Sequence, residues 1–122
     1  MLNVEMFGPN GSDNYLALID SGSDTNVFSV SVAEALGFDG GQEITWEASG
    51  AKDLPGTIIT VTYKLEFDGA VVSWEADTIF SDRVTQRNVL GRSGFFDHFM
   101  VAFRERNREF DLQLYDTSAP RK

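Results

Sequence analysis

Leu18-Ile19-Asp20-Ser21-Gly22-Ser23 is the stretch from which the reading of this chain proceeds. The apolar run before it, Tyr15-Leu16-Ala17-Leu18-Ile19, predicts a strand buried on both faces that delivers an aspartate to its end. Ser21-Gly22 turns the chain at once, so the carboxylate is partly desolvated but still open to a partner. Ser21 and Ser23 bring hydroxyls able to donate to carboxylate oxygens, and Gly22 lets another backbone come close. An aspartate in that setting is a candidate general acid or base. The same tripeptide also serves as an ordinary turn.

Working outward, glycine and Asx clusters cut the sequence into short apolar runs, the punctuation of a mainly β protein. Leu2 to Phe7 and Asn14 to Asp20 form a predicted hairpin across Gly8-Pro9-Asn10-Gly11-Ser12-Asp13, a turn of six residues. Asn26 to Ser29 is a short strand. Ser31 to Gly37 is a short helix with a serine cap, Glu34 three residues on, and a closing glycine. Ile44-Thr45-Trp46 leads into a projecting hairpin over Glu47 to Thr57 with Ser49-Gly50 at its tip. The strand to Phe67 then alternates, turns at Asp68-Gly69, and returns from Val71 to Phe80. Val89-Leu90-Gly91-Arg92 precedes a short helical segment at Ser93 to His98, and Met100 to Phe103 pairs with Phe110 to Leu114. One domain is expected over 1–116, followed by a tail at 117–122.

Composition excludes several classes. The 122 residues contain no cysteine, which removes disulfides, thiolate zinc ligands and thiol nucleophiles. Nineteen Asp and Glu against ten Lys and Arg leave a net charge of −9. Nucleic acid, whose phosphates demand a basic face, is therefore not expected as a partner, and neither is an anionic membrane surface. No apolar run is long enough for a spanning helix. Met1 to Glu5 has no basic stretch leading into an apolar one, so the expectation is a soluble cytoplasmic protein.

Taken together, the Leu-Ile-Asp-Ser-Gly-Ser stretch at 18–23 with Asp24 after it, the apolar-apolar-Gly-Arg stretch at 89–92, and the meander and projecting hairpin between them resemble the retropepsins. These are the retroviral-type aspartic proteases and their single-domain bacterial relatives, and the resemblance runs over about residues 2 to 115. It implies an all-β closed barrel with one or two short helices, forming one subunit of a two-fold homodimer. It further implies that Asp20 is catalytic, supported by Ser21, Gly22 and Ser23. In this family pattern Ser21 interlocks with its twin across the dimer, and Ser23 hydrogen-bonds the outer carboxylate oxygen. Asp24 and Arg92 form an ion pair within the subunit, and Ser49 and Gly50 are the flap residues that meet substrate. Viral flap tips are rich in glycine; this one has two glycines and carries Lys52, Asp53 and Pro55. No metal or other cofactor is implied.

Counting completes the expectation. The chain has one Asp-Ser-Gly and no Asp-Thr-Gly. Aspartic protease chemistry needs two carboxylates about 3 Å apart sharing a proton. The second must come from another copy, with Asp20 of each subunit meeting at a two-fold axis. The implied activity is endopeptidase hydrolysis of a peptide or protein substrate by an activated water. The alternative on the same fold is a catalytically idle dimer that binds peptides in its cleft. Val27, Trp46, Ile79 and Phe80 are the expected cleft walls. His98, the single histidine, sits among phenylalanines and reads as a packing or surface residue, not a base. The segment from Asp20 to Asn26 lacks the glycine and terminal glutamate of a calcium loop.

Overall fold

The computed structural model describes residues 1–20, 22–48, 50–67, 69–84, 87–96, 99–104 and 109–114. Ser21, Ser49, His98 and the tail at 117–122 lie outside the described residues. Among the described residues nine strands and one α-helix follow in chain order: β1 (Leu2–Gly8), β2 (Gly11–Ile19), β3 (Asn26–Ser29), α1 (Val30–Leu36), β4 (Gln42–Ala48), β5 (Ala51–Phe67), β6 (Ala70–Ser81), β7 (Asn88–Leu90), β8 (Phe99–Arg104) and β9 (Glu109–Leu114). A π-helical turn, Arg92–Phe96, sits between β7 and β8.

Six of these strands close on themselves. The sheet runs β1-β2-β7-β3-β6-β5, and β5 pairs back onto β1 through Glu5–Lys64, Met6–Tyr63 and Phe7–Thr62. The result is an all-β closed barrel, with β4 added outside β5 as a terminal strand. Closure removes sheet edges and gives the barrel a single interior. That interior is filled from alternate positions, as period-two strands require: Val4 and Met6 on β1, Val61, Tyr63 and Leu65 on β5, and Phe28 on β3 are all buried. Two of the contacts are parallel, β2 with β7 and β3 with β6, and β3 runs antiparallel to β7, so β2 and β7 end side by side at the rim where β3 begins. β8 and β9 pair with each other as a separate two-stranded ribbon, Arg104 opposite Glu109.

Several local expectations need correction. The first turn is two residues, not six: β1 and β2 stay paired as far as Gly8–Gly11, leaving only Pro9 and Asn10 between them. Asn10 continues into tertiary structure, its amide donating to the Leu36 carbonyl at 3.0 Å, and this shortens the turn. The Tyr15–Ile19 strand is not buried on both faces. Only Ala17 is buried there, and Leu16 is 57% exposed, because β2 lies in the barrel wall with one face inward. The helix starts one residue early, capped by Ser29, whose hydroxyl accepts from the Ser31 amide, and ends at Gly37 in the left-handed conformation. The second helical segment is a π-helical turn at Arg92–Phe96, starting one residue before the expected Ser93; the expected end at His98 lies outside the described residues. Among the described residues no helix is long and apolar enough to cross a membrane.

Candidate functional site

Three chain segments converge at the rim where β2, β7 and β3 meet. β2 ends at Ile19, paired with Leu90 at the end of parallel β7, and β3 begins at Asn26. Asp20 is the first residue past β2. Its amide donates to the Leu90 carbonyl at 3.0 Å, and its own carbonyl accepts from the Ser23 amide at 3.1 Å, closing a tight turn over 20–23. The side chain therefore leaves the rim from a backbone held on both sides. Asp20 is exposed in the single chain, and the Gly22 amide donates to its Oδ1 at 2.9 Å. No basic side chain among the described residues forms an ion pair with it. The carboxylate keeps one oxygen oriented by the backbone and the other open.

Ser23 does something different from the expected contact. Its hydroxyl donates to the Thr25 carbonyl at 2.8 Å and not to Asp20. The turn over 20–23 carries Ser23 past the carboxylate and brings the carbonyl two residues on within reach. The donor that orients Asp20 is the Gly22 amide instead.

The Asp24 and Arg92 side chains meet through Arg92 Nη2 and Asp24 Oδ1, both well exposed. An exposed pair of this kind contributes little on its own. The firmer links run through the backbone. The Arg92 amide donates to the Ser23 carbonyl at 2.8 Å, the Ser93 amide to the Asp24 carbonyl at 2.9 Å, and the Ser93 hydroxyl to the same carbonyl at 2.7 Å. The loop after Asp20 is thus bonded along its length to the segment after β7.

Beneath the loop lies a residue that sequence reading missed. Asn26 is fully buried; its Oδ1 accepts from the Gly91 amide at 2.8 Å, and its Nδ2 donates to the Gly94 carbonyl at 3.2 Å. The same Gly94 carbonyl accepts from Trp74 Nε1 at 2.8 Å. Gly91 and Gly94 are required by this closeness. A methyl on Gly91 would lie within 2.5 Å of the Thr25 carbonyl oxygen, and one on Gly94 would collide with the Asn26 carboxamide. Below, Tyr63 stacks on Trp74 with ring centroids 5.3 Å apart, and its hydroxyl bonds Thr78. Burial pushes the Tyr63 phenol well above its usual range, so it stays neutral and serves as a hydrogen-bonding wall of the core. The one signal in the sequence was the pair of glycines three apart after β7.

The β4–β5 hairpin projects from the barrel. Ala48 pairs with Ala51 across the tip, where Gly50 is exposed with φ of 79°, and Trp46 Nε1 donates to the Pro55 carbonyl at 3.2 Å. The pairing slips between Trp46 and Ala48, so Lys52 and Asp53 together stand opposite Glu47, with Asp53 at φ of 54°. That bulge adds twist to the hairpin near its tip. Of the expected cleft walls, Val27, Ile79 and Phe80 are all buried in the single chain, but only Phe80 joins the barrel core. Val27 and Ile79, each one position off the inward-facing Phe28 and Phe80, face the other side of the wall, Ile79 beside Gly56 near Trp46, which is half-exposed. No group of three or more His, Asp or Glu side chains among the described residues is placed to hold a metal ion.

No known family model matches the chain, and no curated protein does. Among solved structures, it is similar to the EIAV protease complexed with the inhibitor HBY-793, at 18% identity over 78% of this chain and 83% of that one, with a TM-score of 0.45.

Proposed function

We propose that this chain is one half of an aspartic endopeptidase, completed by a second copy of itself. The observation that carries the reading is the setting of Asp20: an exposed carboxylate on a braced turn, oriented by the Gly22 amide at 2.9 Å, over a buried asparagine that ties both halves of the rim together. A carboxylate held rigidly while its second oxygen stays open suits proton transfer to and from a bound water. Because the sequence has a single Asp-Ser-Gly, the partner carboxylate comes from the Asp20 of another subunit across a two-fold axis.

In such a pair, two carboxylates about 3 Å apart share one proton. The ionised member takes a proton from the water between them, and that water attacks the peptide carbonyl. The protonated member donates to the developing oxyanion. The first member then delivers its proton to the amide nitrogen as the C–N bond breaks, and a hydroxyl of the tetrahedral intermediate returns its proton to the second, restoring the pair. Ser21 would interlock across the axis. Asp24 and Arg92 would stiffen the loop behind it, and the hairpin tip at Ser49 and Gly50 would close over the peptide.

The test is Asp20→Asn, followed by cleavage of a peptide library and by sedimentation. Cleavage falls by about 10²–10⁴-fold while the dimer persists. Undiminished cleavage by the variant, or full activity from a demonstrable monomer, defeats the proposal. A wild-type dimer that binds peptides without cutting them would mark the idle peptide-binding alternative.

A further inference from the structure

A second concavity lies away from the Asp20 rim. Between α1 and the face of β4, β5 and β6 runs a groove of about 800 Å³, within the span of roughly 300–1,000 Å³ typical of ligand clefts. A smaller hollow of about 230 Å³ continues it toward Phe38 and Ile59. No described residue of 20–26 or 91–94 lines either one. Val30, 38% exposed on α1, Ile44 on β4 and Phe80 on β6 make the apolar part. Around them stand Glu34 from α1, Glu43 from β4 and Asp82 just past β6.

The charge pattern is one-sided. Among the described residues no lysine, arginine or histidine lines the groove or its extension. Arg83 reaches Asp82, Nε to Oδ1 at 3.4 Å, on the exposed side. Glu34 and Glu43 have no ion-pair partner among the described residues. Three elements separate in sequence thus bring carboxylates to the border of one apolar trough. An aliphatic side chain can bury against Val30, Ile44 and Phe80 while cationic neighbours face the glutamates.

From this we infer that the groove is a peptide-docking site for a basic-aliphatic segment, lysine or arginine on either side of an aliphatic residue. Docking itself stands on the groove alone; its use in choosing substrates rests on the peptidase reading above. The groove shares β4 and β5 with the projecting hairpin. A substrate that carries such a segment beside its cleavage site is held there while the hairpin closes, and an acidic substrate is turned away.

The experiment uses the full chain carrying Asp20→Asn, so that binding is read without cleavage. The probes are a fluorescein-labelled pentapeptide alternating arginine and leucine, and its counterpart with glutamate in place of arginine. Anisotropy shows saturable binding of the first and none of the second, and amide resonances of 30–34 and 43–45 shift. Glu34→Gln with Glu43→Gln weakens binding about five- to tenfold, the worth of two exposed charge pairs. Glu66→Gln with Glu75→Gln, the same change of charge on exposed residues outside the groove, leaves it within about twofold. Absence of saturable binding, shifts confined to 20–26, or equal effects of the two double variants overturns the inference. Groove binding by a chain that cleaves nothing sinks the peptidase reading and leaves the docking site standing. Cleavage without groove binding does the reverse.

Discussion

Asn26 and Arg92 both tie the Asp20 loop to the segment after β7, and magnitudes separate them. Asn26 is fully buried and satisfies the Gly91 amide at 2.8 Å. Replacing it with alanine leaves that amide without its acceptor in a dry site, which costs about 1–3 kcal/mol, with a small cavity in addition. Arg92 and Asp24 face solvent, so Arg92→Ala costs under about 1 kcal/mol. Urea unfolding of the two variants therefore ranks Asn26→Ala well below Arg92→Ala. Equal stabilities would mean that the exposed pair, and not the buried amide, holds the loop. In the sequence Asn26 reads only as the first residue of a strand. Its partners are 65 and 68 positions away, and no local pattern indicates contacts of that range.

At the scale of elements, the long β5–β6 pair does more than form wall. Its cross-strand contacts stack Tyr63 on Trp74 and join the Tyr63 and Thr78 hydroxyls in the interior. Because burial raises the Tyr63 phenol above its ordinary value of 10.0, the folded chain holds a proton that the unfolded chain releases. The sign follows. This contribution is fully present below pH 10.0 and is lost as pH rises from there through the higher folded value. Alkaline unfolding of the wild type steepens in that window, and Tyr63→Phe removes this part of the slope. At neutral pH the same change is mild, about 1 kcal/mol, since the Thr78 hydroxyl retains the Ala76 carbonyl at 3.3 Å. A slope unchanged in Tyr63→Phe would place the alkaline transition on another group. The alternation at Val61, Tyr63 and Leu65 made this strand legible, because a half-buried strand repeats every two residues.

For the whole molecule, charge governs the proposed association. Each subunit carries −9, so two copies repel over the distance that salt screens. Raising sodium chloride from about 0.02 M to about 0.2 M tightens the dimer in sedimentation equilibrium, because the Debye length shrinks over that range. Weaker association at the higher salt would point to an interface built on attractive ion pairs instead.

The chain by itself established the number and spacing of most strands, the helix after β3, and the aspartate delivered to a strand end. These follow from hydrophobic period and from turn residues, which act over a few positions. A closed barrel was implied by the motif resemblance, but only the tertiary structure decided that β5 is the strand that returns to β1, that β2 lies beside β7 and β3 beside β6, and that Leu16 faces outward. It also decided that the Gly22 amide, not the Ser23 hydroxyl, reaches the carboxylate, and that Glu34, Glu43 and Asp82 share one groove. Each of these depends on which distant segments become neighbours, and that is set by burying one common interior, a quantity no single stretch of sequence contains.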